Sequence, residues 1–325
     1  MAFPAANAPS VATVTTVASS TSLGRKMSWE DIFINWAQAP SATEEQKCTN
    51  AESQIKAAIA ANETLAAMSV TTFTQGSYRA RTNVRQESDV DICVRCNDPF
   101  FTSYPEGKTN ADFGNVDATL TFPEFKNLVF TALRDFFGRD AVQWGKKAFD
   151  VKENSYRWDS DVIPSLAMRR YTGRQNPDGT HHFYSGIAFV PDGGNRIENW
   201  PNQNYENGKT KNVETGRRYK RLVRILKRLR YEMEEQKIPE AEPVASFFIQ
   251  CLVWNVPNDI FENSTYSADL RGVLTYIYNA TANVSGCSNW TEENVMKWLF
   301  PPSQSWTREQ ANNFVLAAWR YVGFQ

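Results

Sequence analysis

Trp29, Ile32, Phe33 and Trp36 recur at three- and four-residue spacing behind Ser28, which predicts a capped helix that Pro40 ends. A second helix is predicted from Thr43 to Met68, with Ile55, Ile59 and Leu65 on its apolar side. Val70 to Gln75 is β-branched and aromatic and predicts a strand. Gly76-Ser77 breaks it, and Tyr78 to Val84 reads as a short helix. Asp89 to Cys96 alternates acid with apolar side chains, the period of a strand. Asn97 to Leu120 is rich in Asp, Gly, Asn and Pro and reads as a loop.

Pro123 to Phe137 predicts an amphipathic helix closed by Gly138. Strands are expected at about 147–152, 156–163 and 183–190, with a loop at 173–182 and a turn over 191–195. Beyond about residue 210 the period becomes helical, at 213–236, 243–255, 267–281, 291–299 and 307–320. The shift near residue 200 divides a mixed α/β half from an all-helical half. Residues 1–24 are dominated by Ala, Ser, Thr and Val and lack the basic start and compact apolar stretch of a signal peptide. They are expected to form a disordered tail. The expected domains are therefore this tail, 25–205 with the N-terminal helices, and 206–325.

Composition narrows the class. Apolar residues make up 42% of 325, enough for packed cores. Lys plus Arg is 35 and Asp plus Glu is 36, a net charge of −1, which excludes a wholly basic nucleic-acid coat protein. No run approaches the roughly 18 apolar residues of a membrane helix. The cysteines are Cys48, Cys93, Cys96, Cys251 and Cys287, an odd and scattered set that suits a reduced, cytoplasmic protein. Cys93 and Cys96 form C-x-x-C, but the histidines are only His181 and His182, so strand packing is the expected role rather than zinc.

The chemistry concentrates in two places. In a strand, Asp89 and Asp91 point to the same face, roughly 6.5–7 Å apart. Two carboxylates on one face repel unless a cation lies between them, and a hard divalent ion, chiefly Mg²⁺, suits oxygen ligands. A third carboxylate would complete a two-metal clamp. It is expected from Asp159 or Asp161, which share a face, so periodicity does not choose between them. Gln75-Gly76-Ser77 falls between a strand and an expected helix start, where backbone N–H groups can meet a phosphate and glycine permits close approach. Downstream, Lys209 to Arg230 contains ten basic residues around an apolar stripe of Leu222, Ile225, Leu226 and Leu229, so much of that charge is expected to be a solvated face.

The order G-S, D-V-D, then D-V-I-P resembles the DNA polymerase β-like nucleotidyltransferases of the cGAS, oligoadenylate synthase and DncV type. Asn199-Trp200-Pro201, Tyr205-Glu206-Asn207-Gly208, Lys211-Asn212, Arg218-Tyr219-Lys220 and Ser246 to Leu252 are similar to the bacterial CD-NTases, especially the CdnE clade. The resemblance covers about residues 40–320. It implies an α/β nucleotidyltransferase core, a mixed sheet with flanking helices, followed by a C-terminal helical domain.

The same resemblance implies a bacterial cytoplasmic enzyme of CBASS antiphage signalling that joins nucleoside triphosphates into a cyclic nucleotide acting on a separate effector. It implies two Mg²⁺ per site, with Mn²⁺ able to substitute, and Asp161 as the third acid because it directly precedes V-I-P. Gln75, Gly76 and Ser77, with Lys220, Lys227 and Ser246, are then the triphosphate contacts, and Phe247 stacks on a base. Asn199 sits where the clade reads a base, and an amide that both donates and accepts matches uracil, so UTP and ATP are the expected substrates. The protein is expected to act as a monomer without obligatory nucleic acid and without a membrane. A purine-only synthase and an RNA or tRNA nucleotidyltransferase are the alternatives.

Overall fold

The computed structural model describes residues 27–84 and 89–325; the expected N-terminal tail and Ser88 lie outside them. Among these residues no helix is long and apolar enough to cross a membrane. The chain divides into two compact units.

One unit comprises Ala39–Thr210 and Glu293–Lys297. It begins with α2 (Ala42–Ala61) and α3 (Glu63–Ala66), since α1 (Trp29–Trp36) belongs to the other unit. The sequence predicts one helix here, but Asn62 leaves the helical region and its side chain accepts from Leu65 N, starting a second helix. β1 (Val70–Thr74), α4 (Gly76–Ala80), β2 (Val90–Ser103) and α5 (Phe122–Phe137) follow. Then come β3 (Val142–Trp144), β4 (Phe149–Val151), β5 (Ser160–Gln175), β6 (His181–Phe189) and β7 (Ile197–Asn199).

These strands form one sheet in the order β1-β2-β5-β4-β3, with β6 added to the far part of β5 and β7 to β6. β2 and β5 run parallel and the other pairs antiparallel. Val90, Ile92, Val94 and Cys96 are fully buried and join a core with Ile55 of α2 and Phe125, Val129 and Leu133 of α5. The alternation legible in the sequence thus turns the apolar residues of β2 to the helices and the acids to the opposite face.

Three expectations need correction. β2 does not stop at Cys96: its register with β5 shifts between Cys96 and Phe100 and pairing resumes to Ser103. Asn97, Asp98 and Pro99 are the irregularity within a strand, not the opening of a loop. β5 and β6 likewise continue into the expected 173–182 loop. Residues 291–299 are not helical; Thr291 and Trp298 form an isolated antiparallel bridge around the 293–297 segment. That segment joins the α/β unit at Gly208, where an added Cβ would lie 2.2 Å from Glu293 Oε1, while Asn207 Nδ2 donates to the Glu293 carbonyl at 2.8 Å. The Tyr205-Glu206-Asn207-Gly208 motif is therefore a seat for Glu293.

The second unit holds α1, Lys211–Glu292 and Trp298–Gln325. Its helices are α7 (Arg218–Glu235), α8 (Ser246–Trp254), α9 (Tyr266–Thr281) and α10 (Arg308–Val322). The helix α6 (Pro201–Glu214), which sequence reasoning missed, carries the boundary between the units. Leu222, Ile225, Leu226 and Leu229 of α7 are fully buried with Phe248, Leu274 and Phe314, as their spacing predicts. Not all the basic residues of α7 are solvated. Arg224 is buried and donates from Nε to the Ala37 carbonyl at 3.0 Å, closing the end of α1.

Candidate active site

Three acids stand in a row across three strands. Asp91 of β2 pairs in register with Asp161 of β5, and Asp161 pairs with Asp150 of β4. Register partners share a face of the sheet. Asp89 lies two residues before Asp91, at the entry to β2. Loss of hydration raises the Asp161 carboxyl above its ordinary range, and the charges of Asp89, Asp150 and Asp159 raise it further. Asp89 is raised by the same loss, then by Asp159 and Asp150. The neighbouring carboxylates thus disfavour the ionisation of Asp89 and Asp161.

Asp159 and Asp161, which periodicity leaves equivalent, stand differently. Asp159 precedes β5, and its carboxylate accepts the backbone N–H of Glu153. Asp161 lies within β5, beside Asp91. Asp150 was missed in the sequence, although Phe149-Asp150-Val151 repeats in miniature the alternation of β2.

The Gly76-Ser77 turn is built against these acids. Gly76 has a φ of +65°, and an added Cβ would stand 2.0 Å from Asp91 Oδ2. Glycine is required there twice, for the left-handed backbone and for the space. Gln75, buried at the start of α4, donates its backbone N–H to the Asp91 carbonyl at 2.8 Å. α4 starts at Gly76, two residues earlier than expected, so Ser77 lies in its first turn. The Ser77 hydroxyl makes no hydrogen bond to a described residue.

Asn199 closes β7, paired with Ile187. Opposite it, an added Cβ at Gly186 would come within 2.7 Å of the Asn199 carbonyl oxygen and 2.9 Å of Trp200 Nε1. Gly186 therefore admits the fully buried Trp200 and fixes the Asn199 backbone. The Asn199 side-chain amide makes no hydrogen bond to a described residue. An asparagine serving only as a turn would be expected to spend that amide on nearby backbone.

The remaining expected residues lie in the helical unit. Lys227 of α7 is 2% exposed and donates to Gln250 Oε1 at 3.3 Å, one turn beyond Ser246 on α8. The Ser246 hydroxyl lies 3.4 Å from that of Tyr231. Phe247 meets Trp306 edge to face at 6.3 Å. Lys220 is half-buried in the first turn of α7. The five cysteines are free and buried, and Cys93 packs in β2 with Sγ 2.9 Å from Ser165 Oγ, as strand packing implies. Among the described residues, no three or more His, Cys, Asp or Glu side chains gather tightly enough to hold a metal by themselves.

Residues 206–323 match the cGAS/DncV-like nucleotidyltransferase C-terminal helical domain. The chain is 40% identical over 296 residues to the cyclic dipyrimidine nucleotide synthase CdnE of Legionella pneumophila, covering 90% of this chain and 98% of that protein. The chain belongs to the CdnE group of cGAS/DncV-like nucleotidyltransferases. It is also 38% identical over 300 residues to a cyclic dipurine nucleotide synthase of Elizabethkingia meningoseptica, covering 91% and 99% of the two chains. Among solved structures, the Rhodothermus marinus CdnE c-UMP-AMP synthase with Apcpp and Upnpp superposes with a TM-score of 0.78 at 28% identity, covering 91% of this chain and 97% of that one. As a CdnE relative the chain is an enzyme, a nucleotidyltransferase that makes a cyclic nucleotide.

Proposed function

We propose that this chain joins UTP with ATP, or two molecules of UTP, into a cyclic dinucleotide. Similar CdnE proteins carry dipyrimidine and dipurine names alike, so base choice must rest on the chain's own residues. The observation that carries the reading is the uncommitted amide of Asn199 at the end of β7. One donor and one acceptor in a fixed plane match uracil O4 and N3–H.

The catalytic assignment is Asp89, Asp91 and Asp161. The donors are all carboxylate oxygens, and their mutual repulsion is of the kind a hard divalent cation relieves. Magnesium ions held by these acids would supply positive charge to the α-phosphate and the departing pyrophosphate. Asp161 would orient the attacking ribose hydroxyl on the β5 side, while Gly76 and Ser77 present N–H and O–H groups to the β- and γ-phosphates. The family resemblance adds Gln75, Lys220, Lys227 and Ser246 as triphosphate contacts and Phe247 as a base-stacking ring. The product would act on a separate effector in bacterial antiphage defence, with the enzyme working as a monomer in the cytoplasm and without obligatory nucleic acid.

The test is incubation with all four NTPs, each α-labelled in turn, followed by phosphatase and resolution of the resistant products. A cyclic product containing label from UTP is expected. Purine label alone would overturn the base assignment, and labelled RNA would overturn cyclisation.

A further inference from the structure

Arg79 makes a contact set that no part of the catalytic assignment uses. It lies on α4, two residues beyond Ser77. Its Nη2 donates to Asn202 Oδ1 at 2.8 Å. Its guanidinium lies over the Phe73 ring of β1 at 5.5 Å and over the Tyr205 ring of α6 at 5.1 Å. Asn202 and Tyr205 occupy the first turns of α6, immediately after Asn199-Trp200. One side chain thus bridges the turn assigned to the triphosphate and the segment assigned to the base.

We propose that Arg79 is a positioning residue that sets the distance between phosphate grip and base reader, and so sharpens base selection. This inference rests on the assignments of Ser77 and Asn199 above. A planar guanidinium is suited to the task. It contacts two aromatic rings while holding a directional bond to a third residue. A nucleoside triphosphate spans both ends of the device. If the two ends move independently, a base can be read in a poor register, or a wrong base accepted, without the phosphates leaving their seat. Displacements of about 1 Å at such sites are costly to reaction rate, and more so for the substrate whose base contacts depend on register.

Ser77 reaches the bridge through the single turn of α4, and Asn199 through fully buried Trp200. Nearby, Gly186 leaves room for the Trp200 indole, so the reader's side of the bridge has little freedom to follow a shift on its own. The structural arrangement therefore converts a change at Arg79 into a relative displacement of the two ends.

The experiment compares wild type, Arg79→Lys, Arg79→Gln and Asn202→Ala in competition between UTP and CTP at fixed ATP, with KM and kcat for each and thermal melting of each protein. Arg79→Lys keeps the charge and loses the planar bridge; Asn202→Ala removes the bond from the α6 side and leaves Arg79 intact. The expected result is that all three variants fold and that the UTP-to-CTP incorporation ratio moves toward unity by roughly three- to tenfold, well below the discrimination a whole lost base contact gives. KM measured with the base-mismatched triphosphate should change least. A lower melting temperature with an unchanged ratio in Asn202→Ala and Arg79→Lys would make the bridge merely structural and overturn the proposal. An equal rise in KM for every NTP would make Arg79 a direct phosphate contact and overturn it as well. A wild type that does not discriminate between the bases would remove the Asn199 assignment itself, and the proposal with it; a discriminating wild type with unchanged variants removes only the role of Arg79.

Discussion

Asp91 Oδ2 occupies the space that a side chain at Gly76 would need, 2.0 Å from where its Cβ would stand. The turn assigned to phosphate and the carboxylate assigned to metal therefore share one volume. Gly76→Ala must either move Asp91 or unwind the start of α4. The left-handed backbone adds a cost of about 1–2 kcal/mol. Synthesis is expected to fall by about 100-fold or more, while melting temperature drops only modestly. Product formation alongside thermal melting checks this.

The register of β2, β5 and β4 separates the neighbouring acids. Asp161→Asn is expected to abolish synthesis in a folded protein, and Asp159→Asn to retain most of it, because Asp159 spends its carboxylate on the Glu153 N–H. Asp150 pushes both Asp89 and Asp161 upward. Asp150→Asn removes that push, so both carboxyls ionise at lower pH and the acid limb of kcat/KM should move to lower pH. An acid limb that stays in place would show that the row does not titrate together in the free enzyme.

Lys227→Met keeps most of the buried volume and removes the ammonium; Ser77→Ala removes a hydroxyl. Both are expected to raise the KM for NTPs more than they lower kcat, by roughly tenfold or more for the lysine. Steady-state kinetics in which only kcat falls would remove both from the triphosphate grip.

Lys211 gives a prediction about stability. Its ammonium is buried, donates to the Val256 carbonyl and to Asn258 Oδ1, both at 2.7 Å, and lies near the rings of Tyr219, Trp254 and Phe261. Burial lowers its pKa from 10.5 to about 8. A depressed folded pKa adds stability above the unfolded value that is lost as pH falls through the folded one. Relative to Lys211→Met, wild type should therefore gain stability as pH rises from about 8 to 10.5. Paired denaturant titrations across that range measure the difference, and parallel curves would refute it.

The elements whose period was strong could be read from the chain. β2 wrote its two faces into Val90 to Cys96, and the buried stripe of α7 was visible as Leu222, Ile225, Leu226 and Leu229. The G-S and D-V-D signals lie twelve residues apart, close enough to be read together. What was not legible depended on partners distant in sequence. α6 is built largely of Asn, Gln, Glu and Lys and has little apolar stripe to betray it. Asp150 gains meaning only from its pairing with Asp161, and Gly186 only from Trp200. The choice of Asp161 over Asp159 came from family resemblance, because a two-residue period gives both the same face.

The seat of Glu293 against Gly208 bears on how the protein is made. Residues 39–210 emerge from the ribosome carrying every acid of the row, yet one component of their compact unit lies 83 residues beyond Thr210. Until Glu293–Lys297 is synthesised, Gly208 has no carboxylate against it and Arg170 lacks the Met296 carbonyl that its Nη1 meets at 2.9 Å. Vectorial synthesis therefore delays completion of the nucleotidyltransferase unit until most of the helical unit has been translated. A nascent chain ending before residue 293 would bear the acids without Glu293 against Gly208 or the Met296 carbonyl at Arg170.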